Sequence, residues 1–174
     1  MGDCMAGDSM DFYDADYESY GWTKERLEDL DLTWKDLEQA DAIRDRIVQY
    51  LERYKWEYSI DEENGFIDTV YKSQDGKCYD MHLLIAPFLG GVCEVRTEYD
   101  RRIPKRAWGK VSDLLTIVTP HLLHTRFEFH PHMEGTLFAR TYFILDEGLP
   151  SKKMLSEYLH RGGRIFRRLR FLYP

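Results

Sequence analysis

The chain is short of the residues on which most small catalytic and metal-binding folds depend. Cys4, Cys78 and Cys93 are its only cysteines, an odd number with no CxxC pair and no metal-type spacing. That excludes a disulfide framework and points to reduced thiols in a cytoplasm. Residue alternation puts Cys78 and Cys93 on neighbouring strands at different heights, so no bridge between them is expected. No run approaches the ~20 apolar residues that a membrane-spanning helix needs. Residues 1–16 are acidic and lack both a basic region and an apolar run, so no signal peptide is expected. The net charge of −7 argues against general affinity for nucleic acid, which rests on neutralising phosphates. Catalytic signatures are missing too. Gly90 and Gly91 lack the Lys-Ser/Thr and the helix start of a phosphate-binding loop. No Gly-x-Ser-x-Gly elbow marks a nucleophile. Asp61, Glu62 and Glu63 crowd into one exposed turn, without the contrasting environments that split the pKa values of a catalytic pair.

Apolar material is plentiful. Hydrophobic residues make up 43% and aromatics 14% of 174 residues, enough for one domain with a real core. The charge is unevenly placed. Residues 1–40 hold twelve acids and three bases, whereas residues 151–174 hold one acid and seven bases. The asymmetry suggests two electrostatically complementary ends, while an acidic solubilising tail and an ordinary basic helix face are the plainer reading. A division follows: residues 1–40 form an acidic, aromatic extension, partly disordered or a short helix, and residues 41–174 form the folded domain.

Within the extension, Leu27, Leu30, Trp34 and Leu37 recur at helical intervals, with Thr23 as a cap. Leu30, Asp31 and Leu32 should break this weak helix. Residues 41–55 form a stronger one, with Ile43, Ile47, Leu51 and Tyr54 along one face. The period then changes to two. Strands over 58–61 and 66–72 flank a turn at Asn64 and Gly65, and Asp75 and Gly76 make a second turn. Tyr79, Met81, Leu83 and Ile85 alternate with Asp80 and His82. Cys93, Val95, Thr97 and Tyr99 alternate with Glu94, Arg96 and Glu98. Such alternation means an antiparallel meander with one buried face. Pro104 introduces a helix carrying Trp108, Val111, Leu115 and Val118, which Pro120 ends. Strands over 126–130 and 136–145 make another hairpin. Ser151 caps a last helix with Leu155, Tyr158, Leu159, Phe166 and Leu169 on one face. Gly162 and Gly163 should weaken or bend that helix, at roughly 1 kcal/mol per glycine. The expected fold is α+β, one antiparallel sheet with helices packed on one face, in the order α-ββββ-α-ββ-α. The open face is a natural place for dimerisation or partner binding.

Residues 41–170 resemble the YbjN family of bacterial proteins, whose fold resembles type III secretion chaperones. The likeness rests on the helix carrying Ile43 and Tyr54 and the Tyr-x-Ile-Asp strand at 58–61. It rests further on the strand at 92–99, which leads through Asp100, Arg101, Arg102, Ile103 and Pro104 into a helix. Gly148, Leu149, Pro150 and Ser151 then lead into the terminal helix. The resemblance implies a homodimer-prone, non-enzymatic domain that binds proteins. Residues 1–40 and the stretch Gly162, Gly163 and Arg164 depart from the pattern.

Three functions are weighed. The first is a protein-binding module, chaperone-like or regulatory, with no catalytic residue and no cofactor. Its partner contacts are expected at Phe12, Tyr13, Tyr17, Tyr20 and Trp22, and at Arg164, Arg167 and Arg168. Aromatics are enriched in contact surfaces, and arginine suits carboxylate or phosphate. The aromatic tract either docks on the domain's own sheet or basic helix, or adds to a partner's surface. The second is a nucleic-acid-binding regulator using the C-terminal arginines. The third is a metal-dependent enzyme using His121, His124, His130 and His132, since imidazoles two apart on an extended chain can face one ion. Against it stands the absence of an acidic or cysteine ligand at a convincing spacing, and exposed loop histidines explain the cluster more simply.

Overall fold

The computed structural model describes residues 23–61, 66–86, 92–145 and 148–169. They fall into two units, divided at Trp34. The first holds α1 (Lys24–Asp29), started by Thr23, whose hydroxyl accepts from the Arg26 amide at 3.3 Å. The expected break follows, with Asp31 in the left-handed region at φ 54°.

The second unit begins at Lys35, within the first turn of α2 (Trp34–Arg53). The helix starts at Trp34 and not at residue 41, because no glycine or proline interrupts its course and Leu37 is buried as Ile43, Ile47 and Leu51 are. Residue 40, where the composition shifts, lies inside it. Four strands follow: β1 (Tyr58–Ile60), β2 (Ile67–Lys72), β3 (Cys78–Ala86) and β4 (Val92–Glu98). A 3-10 turn (Lys105–Ala107) then leads into α3 (Trp108–Val118). Next come β5 (Thr125–His130), β6 (Thr136–Ile144) and α4 (Lys152–Leu169). The turn at Asn64 and Gly65 lies outside the described residues.

All six strands form one antiparallel sheet in the order β1-β2-β3-β4-β6-β5. This is the α+β fold the alternation predicts. Register fixes the faces, since directly opposed residues share one. One row runs Thr69, Met81, Thr97, Ala139 and Phe127, and the next runs Ile67, Leu83, Val95, Thr141 and Thr125. Those rows belong to the helix-covered face. Ile43, Ile47 and Leu51 of α2 and Leu155 and Leu159 of α4 pack there with Met81, Leu83 and Val95. A second cluster joins Val111 and Leu115 of α3 and Phe166 of α4 to Tyr99, Phe127 and Leu137.

The expectation of a weakened or bent last helix is corrected. α4 runs unbroken through Gly162 and Gly163, both buried. A Cβ on Gly162 would lie 2.6 Å from the Cβ of Thr97, and one on Gly163 would run into the Tyr71 ring. The glycines therefore let the helix backbone settle directly onto β4 and β2. Tertiary packing outweighs their poor helix propensity. Ser151 caps α4 as expected, its hydroxyl accepting from the Met154 amide at 3.2 Å. Cys93 faces Ile85 in the register, whereas Cys78 faces Lys72, so the two thiols stand far apart along the strands.

Candidate functional site

Two surfaces carry chemistry. The first is a cleft of about 340 Å³ on the α3 side of the molecule. Its floor is apolar: Val111, Leu114 and Leu115 from α3, Leu137 from β6, and Phe166 and Leu169 from α4. Its rim is basic, with Arg101, Arg102, Arg106 and Lys110, and among the described residues no acidic one lines it. Arg102 is committed, donating to Glu98 at 2.6 Å. Among the described residues, no carboxylate forms an ion pair with Arg101, Arg106 or Lys110.

The rim is pinned to the β5–β6 hairpin. The Ile103 amide donates to the Gly135 carbonyl at 2.9 Å. The Trp108 indole N–H donates to the Ile103 carbonyl at 2.8 Å. Gly135 has φ +80°, and a Cβ there would collide with that carbonyl. Only glycine combines the left-handed backbone with so close an approach. The backbone at this edge of the cleft is thus fixed at Ile103.

The second surface is the sheet face that carries no residue of either core cluster. Opposed residues make a polar row across it: Ser59, Asp68, His82, Arg96, Arg140 and Arg126. His82 meets Asp68 at 2.6 Å. Arg140 grips Glu94 through two nitrogens, one at 2.7 Å, and reaches Glu128 at 2.5 Å. Glu128 also receives Arg126 at 2.8 Å. Burial works against the charged form of Glu128. The hydrogen bond from Arg140 and the charges of Arg140 and Arg126 outweigh it and hold the carboxyl below its ordinary value. The Arg140 and Arg126 guanidiniums each lie 5.5 Å from the Tyr142 ring centre. Ala86, Val92 and Ile144 stand in register at one end of this face, with Ile144 52% exposed.

Sequence reasoning pointed elsewhere. Phe12, Tyr13, Tyr17, Tyr20 and Trp22 lie outside the described residues. Arg164, Arg167 and Arg168 are exposed on α4. None of the three lines the cleft, although Phe166 and Leu169 of the same helix do. Arg164 borders a shallow depression with Lys152 and Lys153. The four histidines do not converge. His130 sits 5.2 Å from His132, ring to ring, and 3.6 Å from Glu128. His124 lies edge-on to Tyr158, and His121 is exposed. Among the described residues, no group of three His, Cys, Asp or Glu is placed to hold a metal. The cleft's signal lay in Arg101, Arg102, Arg106 and Lys110, but basic residues spread over ten positions do not announce a common rim.

The chain is therefore an α+β protein with a one-sided sheet and a preformed, basic-rimmed cleft. No family model, no curated protein and no solved structure matches it. Among the described residues, no helix is long and apolar enough to cross a membrane.

Proposed function

We propose that the protein is a non-enzymatic binding module, regulatory or chaperone-like in role, which acts in the cytoplasm as a homodimer and holds another polypeptide. The observation that carries this reading is the helix-free face of the sheet. Its glutamates Glu94 and Glu128 are matched to arginines, and Glu128 is pushed away from neutrality, the wrong direction for a general acid or base at physiological pH. An ion-paired centre beside the apolar strip of Ala86, Val92 and Ile144 suits contact with a second protein surface. Apolar area would supply affinity there, and the charges would set the register. The resemblance of residues 41–170 to the YbjN family agrees with this reading.

Size-exclusion chromatography with light scattering tests it. The wild type should be dimeric. Ile144→Asp should be monomeric with an unchanged circular dichroism spectrum. A wild type that stays monomeric at every concentration rejects the homodimer.

A nucleic-acid-binding role has one observation in its favour, the exposed Arg164, Arg167 and Arg168 on a single helix. That role requires oligonucleotide binding that weakens steeply with salt. Binding that is absent, or unchanged when these arginines become glutamines, removes it.

A further inference from the structure

Resting on the protein-binding reading, we infer that the cleft between α3, β6 and α4 is the docking site for an acidic segment of a partner protein. An apolar side chain of that segment fills the cavity, and flanking carboxylates meet Arg101, Arg106 and Lys110.

Size and lining come first. A cavity of about 340 Å³ floored by Val111, Leu114, Leu115 and Leu137 takes a large aliphatic or aromatic side chain, the kind of anchor that dominates binding energy at protein interfaces. Charge comes second. The protein as a whole carries −7, yet among the described residues every charged one lining this cleft is basic. Positive charge at Arg101, Arg106 and Lys110, in a molecule otherwise rich in acids, attracts a negative ligand. The rim cations follow one another along the chain from residue 101 to residue 110, and such a row matches successive carboxylates of a peptide better than one carboxylate of a small molecule. Third is rigidity. With the rim's backbone held at Ile103 by Gly135 and Trp108, binding has to order only the ligand and the rim's side chains. Nucleic acid is disfavoured because the floor is largely aliphatic. Its two aromatic rings, Tyr99 and Phe166, are buried and packed at a tilt against each other, 5.1 Å apart, and offer no exposed platform for bases.

Fluorescence anisotropy of the full chain with a short dye-labelled peptide decides the matter, the peptide carrying Asp and Glu on both sides of a central Phe. The wild type should bind it, less tightly as salt rises. Replacing the peptide's Phe by Ala, or its acids by Asn and Gln, should each weaken binding. Arg106→Glu with Lys110→Glu should weaken it by about tenfold or more and remove the salt dependence. Leu114→Trp, which fills the cavity, should weaken it while leaving the urea midpoint unchanged. The inference is overturned if the wild type does not bind the peptide, or if the charge-reversed variant binds it equally well. It is also overturned if a single-stranded oligonucleotide or dodecanoate displaces the dye at lower concentration than the unlabelled peptide does. If any of these occurs while light scattering still shows the dimer, the docking assignment fails and the protein-binding reading stands.

Discussion

Adding one methyl group at Gly162 sets two effects against each other, and the structure decides which prevails. Gly→Ala inside a helix ordinarily stabilises by about 1 kcal/mol, through backbone entropy in the unfolded chain. At Gly162 the new Cβ would stand 2.6 Å from the Cβ of Thr97. That atom is fixed to the backbone of β4, in the middle of the sheet, so no rotamer relieves the contact. α4 would have to lift, and Leu159 and Phe166, both fully buried, would lose packing with it. Overpacking of this kind costs roughly 1–3 kcal/mol, and a helix displaced from its bed lies at the upper end. The net expectation for Gly162→Ala is a loss of about 2 kcal/mol. Gly109 supplies the control, because it lies in α3, is exposed, and has nothing within 4 Å of where a Cβ would sit. Gly109→Ala should gain up to about 1 kcal/mol. Urea denaturation of both variants and the wild type measures the difference, which should approach 3 kcal/mol at constant m-value. If Gly162→Ala raises the midpoint as Gly109→Ala does, the close seating of α4 on β4 is wrong.

Arg140→Met takes the nearest cation from Glu94 and Glu128, whose side chains are only 10% and 21% exposed, leaving them Arg96 and Arg126, and should cost roughly 1–3 kcal/mol by denaturation. Adding Glu94→Gln and Glu128→Gln should recover most of that loss; no recovery would mean the charges are not coupled. Burial, and next the charge of Arg164, depress the pKa of His160, which stacks between Trp56 and Tyr71. Its contribution to stability is complete above the unfolded value near 6.5 and is lost as pH falls below it toward the folded value. His160→Leu should therefore flatten the stability profile between pH 7 and pH 5, and an unchanged slope would contradict the assignment. Burial pushes the Cys93 thiol up to about 12, while Cys78 is exposed. In a Cys4→Ser background one thiol should react quickly with a disulfide reagent and the second only on unfolding, and rapid reaction of both refutes the burial of Cys93.

Much of the fold could be read in the chain because period and burial agree there. The alternation of Tyr79, Met81 and Leu83 with Asp80 and His82 placed β3 and its buried face correctly. Thr23, Asp31 and Ser151 each acted through local backbone chemistry, and each was visible as such. What could not be read depends on partners distant in sequence. Gly162 and Gly163 look like a defect until Thr97 and Tyr71 are beneath them. Glu94 alternates as a solvent-facing residue, yet it is 8% exposed, because it stands opposite Tyr142 and is gripped by Arg140, 46 positions away in sequence. The cleft combines α3, β6 and α4 with the segment before α3, so no local window contains it. Arg164, Arg167 and Arg168 attract attention as a run, but their helix turns Phe166 and Leu169, and not the arginines, toward the cavity.

Native mass spectrometry of the protein purified from its own cells tests most directly whether it works by holding other polypeptides. The expected spectrum shows two copies of the chain together, or the chain with a second polypeptide, in both cases without a bound small cofactor. A bare single chain, or one carrying a stoichiometric metal or organic cofactor, would contradict the account.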